Sequence, residues 1–190
     1  MKIRESQGAD PRWSAESYAA RQAVRLTSLG IIAETCPRSA ATVGVAPTLG
    51  VVFGMGVGLS KGDPINGIVS LCQTAGAAMT LVKFGVFDPR GVLVAVSAES
   101  SAQFLSTGPK PINMLSRFII PEDEMYTPAL ICTGGTAPTL LQAQGAVNGF
   151  GALTPGGATD LVTLAGQTDL TSPMTLVGAA AARAFYLAVY

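Results

Sequence analysis

The chain has no histidine, and that absence removes more chemistry than any other feature of its composition. Histidine is the commonest general base near neutral pH, the pivot of Ser-His-Asp hydrolysis and a usual zinc ligand. Without it, catalysis would need paired carboxylates, a cysteine served by some other base, or a Ser-Lys pair. Charge is scarce too: 13% of residues are charged and the formal net charge is zero. A nucleic-acid binder normally presents a basic patch, so nucleic acid is not an expected partner. No stretch of about 18 apolar residues is free of Gly, Pro and polar breaks, so no membrane span is expected. The opening residues, MKIRESQGADPRW, contain no apolar run and do not read as a secretory signal. Cysteine is also sparse. Cys36, Cys72 and Cys132 are odd in number and far apart, which fits neither a disulfide framework nor a zinc knuckle. Cys72 in IVSLCQT and Cys132 in ALICTGG sit in apolar runs, where a free thiol serves as a small core residue.

What is present is a chain of 190 residues that is 48% hydrophobic. That suits one domain with a true core and a short appendage, and it argues against disorder over most of the length. A surface so weakly charged has little to keep single copies dispersed, which points to a chain packed against copies of itself or a larger body.

Residues 1–28 read as the appendage. In ADPRWSAESYAARQAVRL, Asp10 is placed to cap a helix and Pro11 to open it, while Arg21 and Arg25 suit its last turns. The helix could lie on the domain. Alternatively it is an anchoring arm that docks on a partner, with Trp13 and Tyr18 as anchors and Arg12, Arg21 and Arg25 around them. Six of the twelve basic residues fall within the first 38 positions, which favours the arm.

Residues 29–190 change to short runs of Gly, Ala, Val, Thr and Leu. Strands are predicted at 50–59, 65–72, 79–87, 92–98, 111–116, 126–133 and 184–189. They are separated by the turn signals Lys61-Gly62-Asp63-Pro64, Asp88-Pro89-Arg90-Gly91, Thr107-Gly108-Pro109 and Pro121-Glu122-Asp123-Glu124. With no helical pattern between them, the expectation is an all-β antiparallel sandwich or barrel. Residues 142–168 read as a long contact or functional loop, with a short strand near Ala158–Val162.

The acids are the remaining candidates for chemistry. Asp88 begins a tight turn, where its carboxylate bonds the backbone, Pro89 fixes the next φ and Gly91 supplies a permissive backbone. Glu122, Asp123 and Glu124 could hold a hard cation, but adjacent carboxylates at a strand entry are more often a solvated turn, so no metal or other cofactor is expected. Asp160 and Asp169 flank the last loop, and no spacing rule makes them a glycosidase pair. A hydrolase using Asp88, Glu99, Asp160 or Asp169 is therefore the least supported reading. Gly54, Gly56 and Gly58 in GVVFGMGVG lack the Lys-Ser/Thr and the helix of a phosphate loop. They leave one strand face bare, open to a neighbouring backbone or subunit.

The run LVKFGVFDPRGVLVAVSAESSAQFLSTGPKPINML resembles a pattern of tailed-bacteriophage virion proteins, especially those of actinobacterial phages. The likeness runs through Gly85-Val86-Phe87-Asp88, Gly91, Leu93, Ala95, the stretch Ser97 to Ala102, Gln103-Phe104, Thr107-Gly108 and Lys110. It continues through Tyr126, Ala129, Leu130, Gly135-Thr136-Ala137-Pro138-Thr139-Leu140 and the closing GQTDLTSPMTL…AFYLAVY. It covers about residues 48–190. The chain departs from the pattern at Pro89-Arg90, at Glu99 and at Thr171, all in loops. The resemblance implies a jelly-roll-like β-sandwich in a fibre, tail or capsid-surface protein, commonly a homotrimer, assembled in the host cytoplasm into the virion. No collagen-like repeat, heptad run or triple-β spiral precedes the sandwich. The expectation is therefore a non-enzymatic head-fibre or capsid decoration protein, whose arm docks on the major capsid protein or another virion protein. The alternative is a tail-fibre or baseplate receptor-binding module that takes a host-surface glycan.

Overall fold

In GPKPINM the period-two alternation of strand faces is carried directly into three dimensions. Lys110, Ile112 and Met114 point inward and are buried, while Pro109, Pro111 and Asn113 face outward. The computed structural model describes residues 30–36, 38–39, 41–143, 161–175, 177–178 and 184–190. Two units divide the chain, Met1–Ile31 and Ile32–Tyr190, and the fold described here is that of the second. The expected arm, with Arg12, Trp13, Tyr18, Arg21 and Arg25, lies outside the described residues, as does Asp160.

The strands are β1 (Ala33–Glu34), β2 (Ala41–Val45), β3 (Val52–Met55), β4 (Val57–Leu59), β5 (Pro64–Thr74), β6 (Leu81–Phe87) and β7 (Leu93–Val96). After a 3₁₀ helix at Ser101–Leu105 come β8 (Gly108–Ile119), β9 (Glu124–Thr133), β10 (Thr139–Ala143), β11 (Leu161–Leu164), β12 (Val177–Gly178) and β13 (Leu187–Val189). They form two antiparallel sheets, as an all-β sandwich requires. The first runs β1-β13-β5-β10-β2, with β8 on the other side of β5; the second runs β12-β11-β3-β9-β6-β7, with β4 also on β9. The first sheet's edge and the second's meet where Ser97, just past β7, bridges Met114 of β8.

All seven predicted strands are present, with shifted ends, and the shifts have local causes. The run 50–59 is interrupted at Gly56 into β3 and β4, both of which pair with β9. The run 184–189 is regular only over its last residues, because Phe185 pairs with Gln142 before Leu187 joins β5. The sequence reading missed β1, β2, β10 and β12. Part of the expected 142–168 loop is strand: β10 extends to Ala143, and β11 lies slightly beyond the strand expected near 158–162.

Between the sheets lies a core containing Phe53, Ile65, Ile68, Val82, Phe84, Phe104, Ile112, Leu130, Leu140 and Phe185. Each fully buried side chain of this size contributes about 1.5–3 kcal/mol relative to exposure. Phe53 and Phe185 pack edge to face at 5.2 Å, and Phe84 stacks on Phe104 at 5.8 Å. Strands β6 and β9 are buried on both faces, unlike β8, because the second sheet is covered on its outer side as well. There Val52, Phe87, Ala129 and Ile131 form a smaller core with Leu170 and Met174. Those two side chains belong to a strap, residues 165–175, that crosses the outer face of the sheet.

Candidate functional site

The acids of the β6–β7 hairpin were the first candidates for chemistry, and the fold gives both of them backbone partners. Asp88 is 5% exposed. Its Oδ1 accepts hydrogen bonds from Arg90 N at 2.9 Å and Val92 N at 2.8 Å. Its Oδ2 accepts from Arg90 Nε at 3.0 Å. Gly91 takes φ +79° and its N–H donates to Asp88 O, closing the turn. Burial alone would raise the Asp88 pKa, but the bonds from Val92 and Arg90 outweigh it and hold the carboxyl below its ordinary range. Glu99 behaves similarly. Its Oε1 accepts from Val82 N at 3.1 Å and Ser101 N at 2.5 Å, tying β6 to the start of the 3₁₀ helix. Burial opposes those bonds, and the net shift is again downward.

Asp169 sits in the strap, where Lys83 Nζ donates to both its carboxylate oxygens at 2.9 and 2.7 Å. Backbone contacts complete the seal: Gln167 N to Gly50 O, Met174 N to Gly91 O, and Leu93 N to Ser172 Oγ. The hairpin is thus a wall on which the strap is docked. Two of its glycines allow that closeness. A side chain at Gly85 would press on Leu170 and Leu93, and one at Gly91 would run into the Met174 carbonyl. The bare face at Gly54 is likewise filled within the chain, by Thr127, Ala129 and Val162.

The acidic run 122–124 is exposed, and Asp123 Oδ1 accepts from Lys61 N at 2.6 Å, clamping two turns together. Among the described residues no group of three potential metal ligands converges. The three thiols are free and buried. Burial pushes Cys36 up to about 11 and Cys132 up to about 12, and raises Cys72 against the pull of Lys110. The Ser-Lys pair in contact is Ser106 with Lys110, while Ser70, opposite Lys110 across β5 and β8, is buried like it. Lys110 Nζ donates to Ser106 Oγ at 2.8 Å and Thr107 O at 3.2 Å, while the Ser70 hydroxyl has no partner.

These groups do not form one reactive centre. Every described aromatic side chain is buried or half-buried, whereas Leu105 and Leu115 protrude, the latter 70% exposed. The sheet edges differ from one another. On β8, Pro109 and Pro111 remove backbone donors, and residues 114–117 bulge opposite Asn66 alone. On β7, Leu93 N is capped by the strap and Ser97 is bridged to β8. Strand β2 pairs, among the described residues, only with β10, and its register shifts where Thr42 bulges between the partners of Gln142 and Ala143. Its β-branched Thr42, Val43 and Val45 were the available sequence signal, diluted by Gly44 and by the small residues around it.

No protein-family model matches the chain, and no match is found among curated proteins or solved structures. No described helix is long and apolar enough to cross a membrane.

Proposed function

We propose that the chain is a non-enzymatic structural protein of a tailed-phage virion, a jelly-roll sandwich that decorates the capsid surface and is anchored by residues 1–28. The observation that carries this reading is the order of strand pairing. Count β1, β3 with β4, β5, β6, β7, β8, β9 and β13 as first to eighth. One sheet then pairs first–eighth–third–sixth, through β1–β13, β13–β5 and β5–β8. The other pairs second–seventh–fourth–fifth, through β3–β9, β9–β6 and β6–β7. That interleaving of two Greek keys supports a jelly-roll reading, an architecture frequent in viral capsid domains and also in lectins and cupins. Strands β2 and β10 to β12 are additions to it. The resemblance of residues 48–190 to phage virion proteins supports the viral branch.

The test is removal of residues 1–28. The remaining sandwich is expected to fold, with an unchanged β-type circular dichroism spectrum, and to lose binding to undecorated particles. Retained binding would sink the anchor. Electron cryo-microscopy of decorated particles separates capsid from tail: copies on the capsid lattice support the reading, and copies confined to the tail favour the receptor-binding alternative.

A further inference from the structure

We infer that Asn66-Gly67 in β5 is a deamidation site that Tyr190 holds closed, so that Asn66 converts to aspartate and isoaspartate only when the end of the last strand comes away. The inference is independent of the virion reading.

The chemistry needs a side-chain amide and the next backbone nitrogen to meet. They meet most easily when glycine follows asparagine, because a residue without Cβ leaves its nitrogen uncrowded. The sequence has that dipeptide at Asn66-Gly67 and at Asn148-Gly149. In the reaction Gly67 N loses its proton and attacks Asn66 Cγ. The new C–N bond closes a cyclic imide, the bond from Cγ to the amide nitrogen breaks, and ammonia leaves with the proton. Water then opens the imide at either carbonyl, giving aspartate or isoaspartate. Water is the only co-reactant.

The fold engages the nucleophile and leaves the amide in solvent: Gly67 is buried, whereas Asn66 is exposed. Gly67 N donates to Tyr190 O at 3.1 Å, and Asn66 N donates to the same oxygen at 2.7 Å. Tyr190 N donates back to Gly67 O at 3.1 Å, so Gly67 is tied through both its backbone groups. The Tyr190 ring lies over this glycine, where a Cβ would collide with the phenol oxygen and with Ile112 O. That phenol donates to Asn113 Oδ1 at 2.7 Å. The ladder between β5 and β8 passes from Ile65–Phe118 to Gly67–Asn113 and skips Asn66, so the bond to Tyr190 O is what fixes the Asn66 N–H. Attack on Cγ requires Gly67 N to give up its acceptor and Asn66 to leave the extended backbone of the strand. Both require Tyr190 to unseat, and strand ends open at lower free energy than the core. Conversion then adds a negative charge at position 66, and the isoaspartate form lengthens the β5 backbone by a carbon atom. Opening of the last strand is thereby recorded as a covalent change.

The test incubates the full chain at mildly alkaline pH and follows Asn66 by peptide mass mapping, which separates it from Asn113 and Asn148. In the folded chain Asn66 is expected to convert at least about tenfold more slowly than in urea. Deletion of Tyr190 is expected to raise the folded-state rate by roughly tenfold, with circular dichroism reporting that the sandwich persists. If the deletion unfolds the chain, Tyr190→Gly, which strips the ring and keeps the backbone, is expected to raise the rate severalfold. The inference is overturned if folded wild type converts at Asn66 as fast as the urea-unfolded chain, or if the folded deletion or Tyr190→Gly variant converts no faster than wild type. It is overturned too if Asn66 converts in neither the folded nor the unfolded chain.

Discussion

Replacing Asp88 with alanine tests whether its carboxylate is a structural tie. The substitution leaves the N–H groups of Arg90 and Val92 without the acceptor that now holds them at 2.9 and 2.8 Å. Hydrogen bonds to a charged group contribute about 1.5–3 kcal/mol each. Water reaches part of this turn, since Val92 is 40% exposed, and replaces some of that loss. The Arg90 ion pair adds little, because its guanidinium is in solvent. The expected cost is about 2–4 kcal/mol at pH 7, read by urea unfolding, with a melting temperature lower by roughly 4–16 °C. Asp88→Asn keeps an acceptor without the charge and should lose about half as much. Acid supplies an independent check. The folded-state pKa is lowered, so the stabilisation is complete above the unfolded value near 3.9 and disappears as pH falls through the folded value. The gap between wild type and Asp88→Ala should be the same at pH 7 and pH 5, and shrink only below about pH 4. A variant within about 0.5 kcal/mol of wild type at pH 7, or a gap that does not close in acid, would refute the reasoning.

The strap offers a second perturbation: Leu170→Ala should cost about 2–4 kcal/mol in urea unfolding, because it opens a cavity against Phe87, Ala129 and Ile131. Lys83→Met, which removes only a half-exposed ion pair, should stay within about 1 kcal/mol, and the reverse ranking would mean that charge rather than packing holds the strap. The thiols offer a third. Cys36 and Cys132, raised to about 11 and about 12, should resist iodoacetamide at pH 8 in the folded chain. All three cysteines should be alkylated in denaturant, and mass spectrometry that finds fast native labelling of Cys132 would contradict its burial.

The legible parts of the chain are those where one rule acts alone. Asp88-Pro89-Arg90-Gly91 names its turn because each residue type suits its position, and Pro109 and Pro111 mark an edge because they cannot donate. Strands β6 and β9 stand out as apolar runs because both their faces are covered. Strand β2 was missed because ATVGV has a β-branched bias but no clean alternation, and its role depends on Leu140 and Gln142, nearly a hundred residues later. The strap was invisible for a related reason. GQTDLTSPM reads as a polar loop, and only the fold brings Leu170 onto Phe87 and Asp169 onto Lys83. Pairing order too is a long-range property: no local pattern indicates that β13 will lie between β1 and β5.

The strap and the edges together constrain how such a molecule can associate. The second sheet cannot pack face to face on a partner without displacing Leu170 and Met174, so new contacts there fall on edges and ends. A surface this poor in charge cannot rely on ion pairs, which leaves backbone bonds and apolar side chains as the adhesive.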